Sequence, residues 1–406
     1  MAHVVQTNQL LAEGILTQSQ ANEIARRSRD TMLSLVVNIL LMGGIIAASL
    51  GFVFWIADPF GVAALGLGFF LAGTAILFAN NPLYRMLGNA AGLVGAGMLI
   101  SGASIELLEN YRDIAEIVLT LSGAAIAALA ATAFRFGPQS LRFITGCVLV
   151  IGLAPHLVGL GIWAEDLITF GWTDGIANWP KTLFLGYATL AAVVTGIFLN
   201  ARLVTALAIV PFAQMLDTGT GYFHAAYVFY SPEATLTILQ MGVATAIGAW
   251  AMTRTPDHIG RHAGIFAIMA VVVGNLAFLV GSLWGDEIGA SFFRADAPGY
   301  ADFENWSEYR AAYDLWEEQF IQISEHVFSV VWAVLLIAGA WLAAATHRRG
   351  LFNASITFLG IHAYTQVFET FSDEPMVYAL GGLAAIPAAW GLWRLNKKMF
   401  DEPAPV

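Results

Sequence analysis

Residues 85–142 read RMLGNAAGLVGAGMLISGASIELLENYRDIAEIVLTLSGAAIAALAATAFRFGPQSLR, two predominantly apolar runs joined by a short polar turn and closed by an arginine at either end. Each run, 85–107 and 114–134, is long enough to cross roughly 30 Å of hydrocarbon as a helix. With no water in that layer, every backbone amide must be satisfied inside its own segment, so a lone apolar run of this length reads as a helix. The stretch is therefore a helical hairpin across a membrane, with Arg85 and Arg142 on one side. Gly88 and Gly92 in the first run, like Gly44 and Ala48 further upstream, have the small-residue spacing that lets helices approach closely.

The same unit recurs outward in both directions. Basic anchors fall at Arg29, Arg85, Arg142, Arg202, Arg261 and Arg348-Arg349, the first five about 56 to 60 residues apart, with two runs of spanning length between neighbours. Either duplicated hairpins or the plain length of two spans and two short loops produces such a period. The runs lie near 33–56, 60–79, 85–107, 114–134, 140–162, 181–199, 202–217, 234–253, 262–284, 326–346, 351–371 and 376–395, the seventh and eleventh being short and more polar. The expected fold class is an all-α polytopic bundle of about twelve spans in six hairpins. Residues 1–30 form a cytoplasmic helical segment, and residues 31–406 form the transmembrane domain.

Composition agrees. Of 406 residues, 58% are hydrophobic and only 12% charged, and mean hydropathy is +0.69, far from soluble averages. Fourteen of the 18 Lys and Arg fall on the side of the termini. By the positive-inside rule both termini face the cytoplasm. The pI of about 5.1 averages over two oppositely charged faces, and nucleic-acid binding has no support. The single cysteine, Cys147, lies in an apolar run, which excludes an internal disulfide and a cysteine-based metal cluster. No apolar signal-peptide core precedes residue 30, so no cleaved signal is expected.

Before the first span, LLAEGILTQSQANEIARR (residues 10–27) ends in a capping-box pattern at Thr17-Gln18-Ser19-Gln20. This phrase, followed by serial hairpins, resembles the entry segment of uncharacterised bacterial predicted membrane proteins of the domain-of-unknown-function 2157 type. The resemblance implies a multi-pass protein of the bacterial inner membrane and brings no activity or catalytic residues.

Ionisable and amide groups at membrane depth are costly and mark candidate sites. They favour the odd-numbered runs: Glu106 with Ser101 and Ser104, His156, Gln214 and Asp217, Asn275, and finally His362, Gln366 and Glu369, which share one helix face at i, i+4 and i+7. Gln240 is the main exception on an even-numbered run. Two readings stand. Either these groups converge on a cavity open to the outer side, or Glu106, Asp217 and Glu369 are wetted residues near helix ends. Pro155 adjoins His156 and Pro211 lies one turn before Gln214, where a proline frees a backbone carbonyl and tends to kink the helix, and many transporters build their sites on broken helices. Pro387, with no polar neighbour, is a reminder that membrane prolines also occur without a site.

His156, His224, His326 and His362 lie in or near the outer half, but no pair has metal-ligand spacing, so no metal or haem cofactor is expected. Loop signatures of nucleotide-binding and hydrolytic enzymes are absent. Aromatic and apolar residues from Phe303 to Ile323 recur every three or four positions, an amphipathic outer helix near 302–323. It lies on the interface, lids the cavity or docks a partner. The expected function is a secondary transporter for a small solute, linked to protons or cations, with the lipid bilayer as its other partner. The alternative is a non-transporting envelope scaffold or sensor that binds partners through the acidic outer loop and the N-terminal helices.

Overall fold

The computed structural model describes residues 10–11, 14–79, 84–169, 179–216, 221–223, 228–231, 233–290, 293, 297–371 and 374–400. The chain is an all-α bundle with several long apolar helices, the architecture of a multi-pass membrane protein. Ten helices among the described residues are long and apolar enough to cross a membrane. The chain divides into two compact units, residues 1–166 and 167–406.

Unit 1 starts with α1 (Gln18–Ile56), whose capping box forms as the sequence indicates: Thr17 Oγ1 accepts from Gln20 N, and Gln20 Oε1 accepts from Thr17 N at 2.9 Å. This helix runs unbroken for 39 residues, from the 1–30 segment into the first span. No glycine or proline interrupts residues 18–42, so nothing ends the helix before its apolar part, Ile39–Ile56. Asp58 then caps α2 (Pro59–Phe78) by accepting from Gly61 N at 2.7 Å.

Helices α3 (Arg85–Asn110) and α4 (Arg112–Phe136) are the hairpin first read from the sequence. α3 packs on α2 at backbone distance. A Cβ on Gly73 would collide with the backbone of Gly92, and one on Gly95 with the amide of Phe70. Gly88 meets Leu77 and Ile76 in the same seam. Gly44 behaves differently: a Cβ there would meet nothing within 4 Å, and Ala48 is exposed. Their spacing matches the seam glycines, but no described helix faces them. Helix α5 (Arg142–Thr169) carries Pro155 in its interior, and the boundary of unit 1 falls in its last turn.

Unit 2 contains α6 (Trp179–Leu199), two short helices α7 (Arg202–Leu207) and α8 (Ile209–Gln214), α9 (Ala234–Arg254) and α10 (Asp257–Trp284). Ile209, Ala213, Met241, Ala244, Ala270 and Val273 form its core, flanked by Phe212, Phe266 and Met269. After α10 come α11 (Trp306–Glu317), α12 (Glu325–Ala345), α13 (Arg349–Thr370) and α14 (Pro375–Phe400). Helix α13 has spanning length, but its polar residues keep it outside the ten apolar helices. The span of α14, Pro375–Lys397, has none of its residues buried.

Two small antiparallel strand pairs depart from the all-helical expectation. One pairs β1 (Gly221–Phe223) with β2 (Val228–Tyr230). The other joins β3 (Asp286–Ile288) to β4 (Ile321–Ile323), with Asp286 opposite Ile323. The amphipathic helix therefore occupies Trp306–Glu317, shorter than the 302–323 pattern, because the chain beyond it leaves the helix to pair with β3. Gly285 makes the turn into β3 with φ 73° and ψ −160°, a backbone state open almost only to glycine, and a Cβ there would lie 2.7 Å from the Ile323 carbonyl.

Candidate functional site

The seventh apolar run is a broken helix. α7 ends at Leu207, the chain bends at Ala208, and α8 resumes at Ile209 with Pro211 as its third residue. Proline has no N–H, so the Leu207 carbonyl one turn earlier has no donor from that position, and the ring crowds the same carbonyl. α8 lasts only to Gln214, which is half-buried, and Asp217 lies outside the described residues.

Gln240 crosses to this broken segment from α9. Its Nε2 donates to the Phe212 carbonyl at 2.5 Å, while its Oε1, fully screened from solvent, has no hydrogen-bond partner. Only 7% of the residue is exposed. An unmet acceptor in a buried place costs about 1–3 kcal/mol. Gln240 also lines, with residues of α6 to α10 and the Met215-Leu216 turn, an open-sided and almost wholly apolar cavity of about 670 Å³, from which its Oε1 is screened. Lining residues on α9 run from Leu236 to Ala251, which at 1.5 Å per helical residue is about 22 Å. Three polar side chains line it: Thr205, Gln240 and His262. None of the lining residues is Asp, Glu, Lys or Arg.

No family model, no curated protein and no solved structure matches this chain. What the cavity does is read from its own residues.

Thr205 and His262 satisfy one another. Thr205 Oγ1 lies 2.7 Å from His262 Nδ1, and His262 Nε2 lies 3.4 Å from Asn200 Oδ1. The Nε2–H tautomer makes both bonds, with the hydroxyl donating to Nδ1. Asn200 holds φ at 52°, a left-handed turn between α6 and α7 that asparagine tolerates well. Thr205 and His262 are buried, at 0% and 1% exposure, although His262 follows the exposed Arg261 in sequence. The only local signal for this group is a histidine one residue from a basic anchor, which reads as an interfacial group.

Two of the expected site residues meet elsewhere in unit 2. Trp332 of α12 donates its indole N–H to Asn275 Oδ1 at 2.8 Å, and the His362 ring packs edge-on against the same indole, centroids 4.7 Å apart. Phe278 stacks on Trp332 with planes 5° apart, and Asn275 Nδ2 donates to Val271 O. His362 Nδ1 is buried without a partner. Trp332, an aromatic whose apolar body does not mark it as a costly group at membrane depth, is the hub of this cluster. Gln366 is half-buried on α13, and Glu369 is exposed, one residue before the helix ends.

In unit 1, His156 Nδ1 lies 2.9 Å from the Thr120 carbonyl, tying α5 to α4. A Cβ on Gly123 would strike the His156 backbone, so the two helices touch there. Glu106 is half-buried and accepts from Asn110 Nδ2 at 2.9 Å, a contact within the last turns of α3. Ser101 and Ser104 donate to carbonyls one turn back on their own helix.

Outside the spans, a carboxylate group gathers where β3 meets α9. Asp286 accepts from the amides of Ala234 and Thr235 at 3.2 and 2.8 Å and so caps the first turn of α9. Glu233 is 1% exposed and accepts from Gly289 N. Burial raises the carboxyl pKa of Glu287, and the charges of Glu317, Asp286 and Glu233 add to it. Burial likewise raises that of Glu317, opposed by Arg310 and reinforced by Asp314. Among the described residues no group of three His, Cys, Asp or Glu has the arrangement of a metal site.

Proposed function

We propose that the chain is a secondary permease for a small solute, linked to protons or cations, and that the unit 2 cavity is where the solute binds. The observation that carries this reading is the broken seventh span, whose Phe212 carbonyl is held by Gln240 at the wall of that cavity. Helices interrupted at membrane depth are how transporters expose backbone groups to a substrate. The reading takes the α7–α8 pair and the polar α13 as two further spans beside the ten apolar helices, and the Lys/Arg distribution supports residues 1–30 and the C-terminus on the cytoplasmic side. The resemblance of residues 10–27 supports a bacterial inner membrane.

In this scheme Glu106, Asp217 and Glu369 exchange the coupling proton or cation, while His156, Gln214, Asn275, His362 and Gln366 supply hydrogen bonds, each within its own unit. The test uses purified protein in proteoliposomes loaded with a pH-sensitive dye and a panel of solutes added outside. A solute that triggers proton entry, lost in Glu369→Gln with the protein still folded, is the expected result. Unchanged flux in the variant removes Glu369 from the mechanism.

One observation favours the second reading, an envelope scaffold. A continuous ladder of ring contacts runs from Tyr300 through Trp306, Tyr309, Tyr313 and Trp316 to Phe320, with Trp306 62% exposed beside Glu304 and Glu308. A scaffold needs no solute-dependent flux from any member of the panel.

A further inference from the structure

Unit 1 has a cavity of its own, of about 470 Å³ and mostly polar, lined by Phe78, Arg85, Pro138, Gln139 and Ser140. Three segments meet there: the end of α2, the start of α3 and the single turn Gln139–Leu141 that leads into α5. Because α2 and α3 both have spanning length, their shared end lies where hydrocarbon gives way to headgroups. Phe78, the last residue of α2, is 61% exposed and offers its ring to acyl chains.

Arg85 differs from the other arginines at this end. Arg135 and Arg142, at the α4–α5 turn, lie over the rings of Phe136 and Phe134 at 5.9 and 5.7 Å. Among the described residues Arg85 has no ring contact, hydrogen bond or ion pair of its own. The neighbouring helices hold no carboxylate to give it one, since the sequence has no Asp or Glu between Asp58 and Glu106 or between Glu116 and Glu165. The cavity gathers further donors instead: the Ser140 hydroxyl, the Gln139 amide and, at its edge, the first-turn amides of α3, which no side chain caps. A guanidinium beside a helix N-terminus is a setting for phosphate oxygens.

We infer that this cavity holds the phosphate of an anionic phospholipid, with Arg85 as its counter-charge and Ser140 and Gln139 donating to the remaining oxygens. A zwitterionic headgroup fits less well, because the described lining has no carboxylate for its ammonium. A soluble phosphate ester presents the same oxygens but has nothing to lay against Phe78. The site belongs to the membrane fold of unit 1 and stands whether or not the unit 2 cavity transports a solute.

The experiment uses the full chain in phosphatidylcholine nanodiscs containing phosphatidylglycerol with a diazirine high in one acyl chain, and crosslinks are mapped by mass spectrometry. Crosslinks are expected at Phe78 and over residues 138–140. Unlabelled phosphatidylglycerol should displace the probe about fivefold better than added phosphatidylcholine, the worth of one interfacial arginine. Arg85→Gln, a change at an exposed residue, should bring the two competitors level, and Arg85→Lys should keep part of the preference. Arg135→Gln removes the same charge at the same end of the unit and should leave the preference intact. Glycerol phosphate in the bathing solution should not compete. Equal displacement by the two lipids, an undiminished preference in Arg85→Gln, an equal loss in Arg135→Gln, or crosslinks spread evenly over the lipid-facing helices overturns the inference. Displacement by glycerol phosphate overturns the lipid assignment and makes the site one for a soluble phosphate ester.

Discussion

The α2–α3 seam of unit 1 and the α7–α10 region of unit 2 solve helix packing in opposite ways. In the seam, Gly66, Gly73 and Gly95 bring two backbones together until a single added methyl would collide, with Gly88 and Gly92 on the facing side. Dispersion over close backbone surfaces and weak Cα–H···O contacts hold such pairs in a bilayer, where burial from water contributes nothing between helices. Around α7–α10 the α9–α10 pair is itself close, a Cβ on Gly248 meeting Ala267 at 2.7 Å, but proline breaks the neighbouring helix and leaves a gap lined by apolar side chains. A glycine seam has no room for a ligand; the gap does. Function is therefore sought where packing is least complete, and stability where it is tightest.

Each half of that comparison can be broken separately. The largest effect is expected from Trp332→Ala, which empties a site with 1% exposure and leaves Asn275 Oδ1 and the face of His362 without their neighbour. A loss of about 3–5 kcal/mol is expected from truncating a buried aromatic of this kind. It is read as a lowered unfolding midpoint in detergent, and an unchanged midpoint would deny Trp332 its place as the hub. Next comes Gly95→Leu in unit 1, expected to cost about 3 kcal/mol because the obstructing atoms are backbone and have no rotamer to change. Gly44→Leu is its control, expected to stay within about 0.5 kcal/mol because nothing faces that glycine. Equal effects at the two glycines would mean that the seam is not what orders unit 1.

The smallest effect concerns the carboxylates beside β3. With the carboxyls of Glu287 and Glu317 raised above the ordinary value of 4.5, the folded chain holds their protons more readily than the unfolded chain does. Their contribution therefore favours folding at low pH and is lost as pH climbs from about 4.5 through the raised folded values. Glu287→Gln should flatten the decline of the unfolding midpoint over that window and raise it slightly at neutral pH. Identical slopes in the two proteins would show that these charges do not crowd one another.

Much of the bundle is legible in the chain because lipid imposes its own length and polarity on every span. Pro211 marks the broken helix at the right turn, and Asn275 and His362, chosen as costly polar groups at depth, do sit in one cluster. Harder to read are contacts between residues far apart in sequence. Thr205 and His262, and likewise Asn275 and Trp332, are each 57 positions apart and meet only through the rotation of their helices. Hydropathy reports that a segment spans, but not which face it turns to a neighbour. Gly44 and Gly88 illustrate this, since identical local spacing leads to open surface in one case and a closed seam in the other. The β3–β4 pair escapes for another reason: three-residue strands have too little alternation to stand out beside an amphipathic helix.

The most direct measurement places single cysteines at the two ends of the cavity, Leu236→Cys and Ala251→Cys, in a background in which Cys147, the only native cysteine, is replaced by serine. Each is labelled in sealed proteoliposomes with a membrane-impermeant maleimide while a pH gradient is imposed and reversed. A permease working through this cavity opens one end as it closes the other, so labelling at the two positions should change in opposite directions with the gradient. Labelling that is unaltered, or that rises and falls together at both ends, would contradict the assignment of the cavity as a transport site.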